Sequence, residues 1–195
     1  MAHRRWTSRT GQDLRYRTHV IHPALDSILR ELYPSGSIHI LDIGCGDGVF
    51  PGDDIGKKLL EEGGSYTGVD LSPAVIGEAR SRYSGQNVFF IEGDAADPAL
   101  PEMLADSGRT WSCVLSVFTI QEIADIASFA ANLERVVPDD GYAVLVTVHP
   151  DFADWLRESG RMETTDNFVE KGLKPVSTFR HHHRAPGFPS TNARM

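Results

Sequence analysis

Between Ile38 and His149 the chain alternates two patterns of apolar residues. Five short runs rich in β-branched residues have strand length: Ile38–Ile43, Ser65–Asp70, Val88–Glu92, Trp111–Val117 and Tyr142–His149. Several are apolar at consecutive positions, as strands are when helices cover both faces, and this predicts a parallel sheet. Before and between the runs, apolar residues return at helical spacing. Pro23 to Tyr33 sets Leu25, Ile28, Leu29 and Leu32 on one stripe. Asp54 to Glu62 turns Ile55, Leu59 and Leu60 inward, and Gly63-Gly64 ends it. Ser72-Pro73 supplies a hydroxyl cap and a proline at the first helical position, ahead of Val75, Ile76 and Ala79. Ile126 to Val137 carries Ile126, Phe129, Leu133, Val136 and Val137, and Pro138-Asp139-Asp140-Gly141 turns the chain into the last run.

Strands and helices alternate throughout, which predicts an α/β fold with a doubly wound, mostly parallel sheet. In such sheets ligands bind beyond the carboxyl ends of the strands, where the strand order switches. Functional residues are therefore expected just after each strand.

Composition narrows this only a little. The 195 residues suit one domain, and 41% hydrophobic with 24% charged residues is a globular balance. No apolar run approaches the roughly 20 residues that cross a bilayer. The start, MAHRRWTSRT, has no apolar segment of a secretory signal. Cys45 and Cys113 form no CxxC pair and sit among apolar residues, so they are expected as reduced thiols of a cytoplasmic protein.

The net charge of −8 argues against a nucleic-acid binder. Its distribution is uneven. Residues 1–30 carry six arginines against Asp13 and Asp26, a surplus of +4. Residues 171–195 carry five basic residues and no acid, which leaves −17 on the residues between. The plain explanation, which we favour, is that basic ends offset an acidic body. The alternative is that both ends fold over one pocket and attract an anionic substrate.

Three strand ends carry groups suited to ligand chemistry. In Leu41-Asp42-Ile43-Gly44-Cys45-Gly46-Asp47-Gly48 a strand runs into three alternate glycines, which let a ligand approach the backbone. A helix following this turn is expected to present free N–H groups. Dinucleotide sites use a related turn, but acids flank this one, and carboxylates repel a pyrophosphate while favouring a cationic amine. In Tyr66-Thr67-Gly68-Val69-Asp70-Leu71-Ser72 an acid ends the second strand, where its two oxygens can accept ribose hydroxyls. In Ile91-Glu92-Gly93-Asp94-Ala95-Ala96-Asp97, Asp94 can accept a proton from an exocyclic amine, whereas Asp97 reads as a solvated loop acid.

These segments, with CVLSVFTIQEI at 113–123 and LERVVPDDGYAVLVTVHP at 133–150, stand in the order found in class I S-adenosylmethionine (SAM)-dependent methyltransferases. The chain resembles that family, its small-molecule group in particular, over about residues 14 to 150. The resemblance implies a Rossmann-like methyltransferase sheet in one SAM-binding domain spanning 1–195. Residues 1–35 would form an N-terminal helical lid, 36–150 the core and 151–195 a lid or tail. It implies SAM as cofactor and S-adenosylhomocysteine (SAH) as product. Asp42, Gly44 and Gly46 would line the methionine part, Asp70 would hold the ribose, and Leu71 would pack on the adenine. Asp94 and Ala95 would read the adenine edge. Ser116 and Val117, just past the fourth strand, would offer backbone to the methionine amine. Tyr16, with Arg17, would either close over the cofactor or pack within a helix.

Methyl transfer from a sulfonium needs alignment first, and a base only when the acceptor must lose a proton. Gln121 after the fourth strand and His149 at the end of the fifth are the catalytic candidates; His149 reads equally well as a strand-end side chain. Glu122 reads as a helix-start acid. Metal-dependent relatives place acids after strand four, where this chain has Ser116-Val117-Phe118, so no metal is expected. The run His181-His182-His183 does not change that, because adjacent strand residues point to opposite faces. Phe118, Phe152, Trp155 and Phe168 either wall an apolar acceptor pocket or only pack under the last helix.

Two features depart from the family pattern. Val49 to Asp54 delays the helix after the glycines, which suggests a longer glycine loop and leaves Asp53 and Asp54 without a role. After His149 only Pro175–Phe179 reads as a strand, so the chain is truncated, or lacks the final strands, or has its sheet edge covered by a partner. An open edge favours a homodimer. The expected partner is a small-molecule acceptor methylated on oxygen or nitrogen, with no nucleic acid and no membrane. A non-catalytic SAM-binding module and an NAD(P)-dependent oxidoreductase are the alternatives.

Overall fold

The structure is a computed structural model that describes residues 17–147, apart from Ser84 and Gln86. The chain divides into two units, 1–149 and 150–195, and the described residues lie in the first. Tyr16, His149, Phe152, Trp155, Phe168, Pro175–Phe179 and the histidine run lie outside the described residues.

The first unit holds a five-stranded parallel sheet: β1 (His39–Ile43), β2 (Ser65–Asp70), β3 (Val88–Glu92), β4 (Cys113–Val117) and β5 (Tyr142–Val146). The strand order is β3-β2-β1-β4-β5, so the direction of winding reverses between β1 and β4. The α/β, doubly wound expectation holds, and the crevice at that reversal opens beyond Ile43 and Val117.

The register puts alternate residues on opposite faces. Ile40, Tyr66, Phe90, Cys113, Leu115 and Val117 face one core with Leu25 and Leu29 of α1 (His22–Leu32), Leu59 of α3 (Asp54–Glu61) and Ile76 of α4 (Pro73–Arg82). Leu41, Ile43, Val69 and Val114 face a second core with Leu100 and Leu104 of α5 (Leu100–Asp106) and Phe129 of α6 (Ile126–Val136). Both faces of β1, β2 and β4 are therefore dry, which explains their uninterrupted apolar runs.

Several elements differ from expectation. Val49 to Asp54 is no extended loop: Val49–Gly52 forms one helical turn, α2, and Asp53 caps α3 by accepting from the Gly56 amide at 2.8 Å. Ile28 is 40% exposed, because it falls beside the buried stripe of His22, Leu25 and Leu29. A single π-helical turn, Arg17–Ile21, precedes α1. Helix α5 has no counterpart in the predicted elements, since Leu100, Pro101 and Leu104 are all that it buries. Asp125, not Glu122, starts α6: its side chain accepts from the Ser128 amide, while Glu122 ends a 3₁₀ turn, Ile120–Glu122.

Candidate functional site

The turn after β1 is tied to the end of β2. The amides of Gly44 and Cys45 both donate to the Val69 carbonyl, at 2.7 and 2.9 Å. The Gly46 amide donates to Oδ2 of Asp70 at 2.9 Å, and the Gly48 amide to the Cys45 carbonyl at 3.3 Å. These four donors are spent inside the fold. The first three bond to the end of β2 and the fourth closes the turn on itself, so any free N–H groups belong to the helix that starts at Val49 and not to the turn. The glycines serve close approach instead. Gly44 has φ +81°, and a Cβ there would stand 2.0 Å from Oγ1 of Thr119, which follows β4 and donates to the Gly44 carbonyl. The crevice is thus crossed by a direct contact from the segment after β4.

Asp42 lies in β1 and is 5% exposed. Its Oδ2 accepts from the Tyr66 hydroxyl at 2.6 Å, and its Oδ1 is buried without a partner. Burial pushes its carboxyl up to about 6, against the pull of the Tyr66 bond and the charges of Arg17 and His22. Asp42 lines a small pocket of about 10 Å³ together with Arg17, His22, Gly44, Cys45, Phe50 and Val117. The Arg17 guanidinium also lies 5.3 Å from the centre of the Phe118 ring. Phe118 has φ +56°, an unusual conformation for a side chain of that size, and it sits where β4 leaves the sheet.

Asp70 ends β2 with both carboxylate oxygens in use, Oδ2 on Gly46 and Oδ1 on the Ser72 amide at 2.9 Å. Each oxygen keeps a second lone pair for a ligand. Leu71 beside it is 66% exposed. A cleft of about 360 Å³ opens there, lined by Leu71, Glu92, Gly93, Asp94, Asp97, Ala99, Leu100 and Met103. Three carboxylates on apolar walls repel a phosphate and accept from N–H donors. Asp94 closes its own turn, with Oδ1 accepting from the Ala96 amide at 2.9 Å. Ala95 is the next residue of that turn.

Ser116 and Val117 do not lie past the fourth strand: they are its last two residues, paired with Leu145 and Val146. Ser116 is fully buried and its Oγ has no partner. The residues that leave the strand are Phe118 and Thr119. Gln121 is half-buried in the 3₁₀ turn, and its Oε1 accepts from Thr147 Oγ1 at 3.4 Å.

Two acids were hidden from sequence reasoning. Asp47 is 2% exposed and ion-paired with Arg82 at 2.5 Å, so its charge is not offered to a ligand. Asp53 binds the ring of buried His22 as well as capping α3. Its place before an apolar helical stripe is a capping signal; the histidine partner has none. Among the described residues no three His, Cys, Asp or Glu come together as metal ligands. Among them, too, no helix is long and apolar enough to cross a membrane.

Residues 15–184 match a family described as a methyltransferase domain. The chain belongs to this methyltransferase family. A ubiquinone biosynthesis O-methyltransferase of Azorhizobium caulinodans is 29% identical over 122 residues, 62% of this chain and 44% of that protein. The mitochondrial one of Arabidopsis thaliana is 30% identical over 146 residues, 75% of this chain and 43% of that protein. The chain thus spans less than half the length of these relatives. Among solved structures, the PH0226 protein of Pyrococcus horikoshii superposes with a TM-score of 0.58 at 22% identity, covering 82% of this chain and 68% of that one. The plantazolicin methyltransferase BpumL in complex with SAH gives 0.58 at 17%, covering 77% and 54%. Both share the fold.

Proposed function

We propose that this methyltransferase-family chain binds SAM along the ends of β1, β2 and β3 and moves its methyl group to an oxygen or nitrogen of a small metabolite. The observation that carries this reading is the acid at each of three successive strand ends. Asp42 keeps a buried, unpartnered oxygen, Asp70 is locked to the glycine turn, and Asp94 stands in an open cleft. The named O-methyltransferase relatives and the SAH-bound solved structure support it.

The residues present suit the cofactor. Oδ1 of Asp42 needs a donor, which an ammonium supplies, and Arg17 brings a cation near the same pocket for a carboxylate. Asp70 would take the ribose hydroxyls, Leu71 the face of the base, and Asp94 with Ala95 its edge. Gly44 and Gly46 allow the amino-acid tail to lie against the backbone.

When bound, SAM supplies an electrophilic methyl on sulfur, and the chain's own contribution is alignment. Gln121 has a neutral amide that takes no proton near pH 7. Its Oε1, turned to Thr147, is suited to hold an acceptor hydroxyl in line. Where that hydroxyl must lose its proton, His149 is the candidate base. Calorimetry with SAM and SAH tests the binding half, and turnover on a panel of phenolic and amine metabolites tests the transfer. Micromolar SAH binding with methylation of a panel member is the expected result. No binding of either nucleoside overturns the reading; binding without any transfer leaves the non-catalytic module.

A further inference from the structure

The peptide group joining Ala95 to Ala96 is held on both sides. Its carbonyl accepts from Nδ2 of Asn132 at 2.9 Å, and its N–H donates to Oδ1 of Asp94 at 2.9 Å. The same Nδ2 donates to the Asp97 carbonyl at 2.8 Å. Asn132 lies on α6 and is only 3% exposed. A peptide group is planar, so its carbonyl and N–H turn together. The carbonyl bonded to Asn132 therefore sets the direction of the N–H that anchors Asp94. The other oxygen of Asp94 has no hydrogen bond within the described residues, and Asp94 lines the cleft.

We propose that Asn132 is a positioning residue for base selection: by fixing the 95–96 peptide it aims the Asp94 carboxylate at an exocyclic amine of the ligand's purine. This rests on the reading of the cleft as the adenine end of the site. The same helix also holds this region through Arg135, which donates to the Pro98 carbonyl at 3.2 Å and pairs with Glu102. Arg135 does not touch the peptide that carries Asp94. The two residues thus separate general attachment of the loop from orientation of the acid.

The test uses the full chain and calorimetry with two ligands, SAH and S-inosylhomocysteine, in which a carbonyl oxygen replaces the ring amine. A carboxylate facing that oxygen loses a charge-assisted hydrogen bond, so the unsubstituted protein is expected to prefer SAH by about tenfold or more. Asn132→Ala and the isosteric Asn132→Asp are expected to bring the ratio within about threefold, chiefly by weakening SAH. Arg135→Ala is expected to keep the full ratio. Asn132 variants that bind both ligands more weakly at an unchanged ratio overturn the proposal, and so does loss of cooperative unfolding in both. A protein that shows no preference before substitution overturns the adenine reading of Asp94 itself, a distinct failure.

Discussion

Tyr66 and Asp42 share a hydrogen bond of 2.6 Å between neighbouring strands, with both side chains buried. The carboxyl of Asp42 is held at about 6, against an ordinary 3.8, mainly by burial. Between those values the folded chain keeps a proton that the unfolded chain releases. The stability this group contributes is therefore full below about pH 4 and falls as pH rises through 6, by up to about 3 kcal/mol. Urea midpoints at pH 4.5 and 7.5 for the parent and for Asp42→Asn measure it. The parent should lose more stability over that interval than the variant; equal losses would refute the assignment.

Asp70 joins the glycine turn to the start of α4 through two backbone amides. Asp70→Ala leaves both donors without that acceptor and removes the proposed ribose contact. SAH affinity should fall about tenfold to a hundredfold, the range for hydrogen bonds to a charged group. Asp70→Asn keeps an acceptor and should fall in between. Calorimetry showing full affinity for Asp70→Ala would defeat the ribose role.

Gly44 and Thr119 meet across the crevice, and Gly44→Ala meets two obstacles there. The backbone is left-handed at φ +81°, and the new methyl overlaps Thr119. The expected cost is about 2–4 kcal/mol, combining left-handed strain with overpacking. Thr119→Gly in the same chain relieves the overlap and leaves the strain, so it should recover only part of the loss. A double-mutant cycle by chemical denaturation reads the coupling.

Buried His22 and half-buried Asp53 form a pair that fastens α1 to the start of α3. Removing either partner should cost about 1–3 kcal/mol, since the other loses its hydrogen bond where water reaches it poorly. Asp53→Ala also removes the cap on the Gly56 amide, so it should exceed His22→Ala by about 1 kcal/mol. The reverse order in thermal or urea unfolding would show that the cap contributes nothing.

Much of the frame was legible along the chain. Strands β2 and β3 run over the residues their apolar runs predict, and the Ser72 cap accepts from Val75 as expected. Helix α5 was missed because its buried residues, Leu100, Pro101 and Leu104, span a single turn and are too few to make a period. Asn132 was missed as well, although a polar residue three positions after Phe129 and four before Val136, on a stripe otherwise apolar, is a signal that can be read.

The alternation of elements, the parallel sheet and the acids at the strand ends were determined by the sequence, because a period of two or of 3.6 and a strand-end acid are properties of neighbouring residues. Which acids remain open to a ligand was decided only by the tertiary structure. Asp47 is taken by Arg82, 35 residues away, and Asp53 is bound to His22, 31 residues away. Asp42 is buried with one oxygen unpartnered. Burial and charge pairing depend on which distant segments the fold brings together, and no local pattern carries that information.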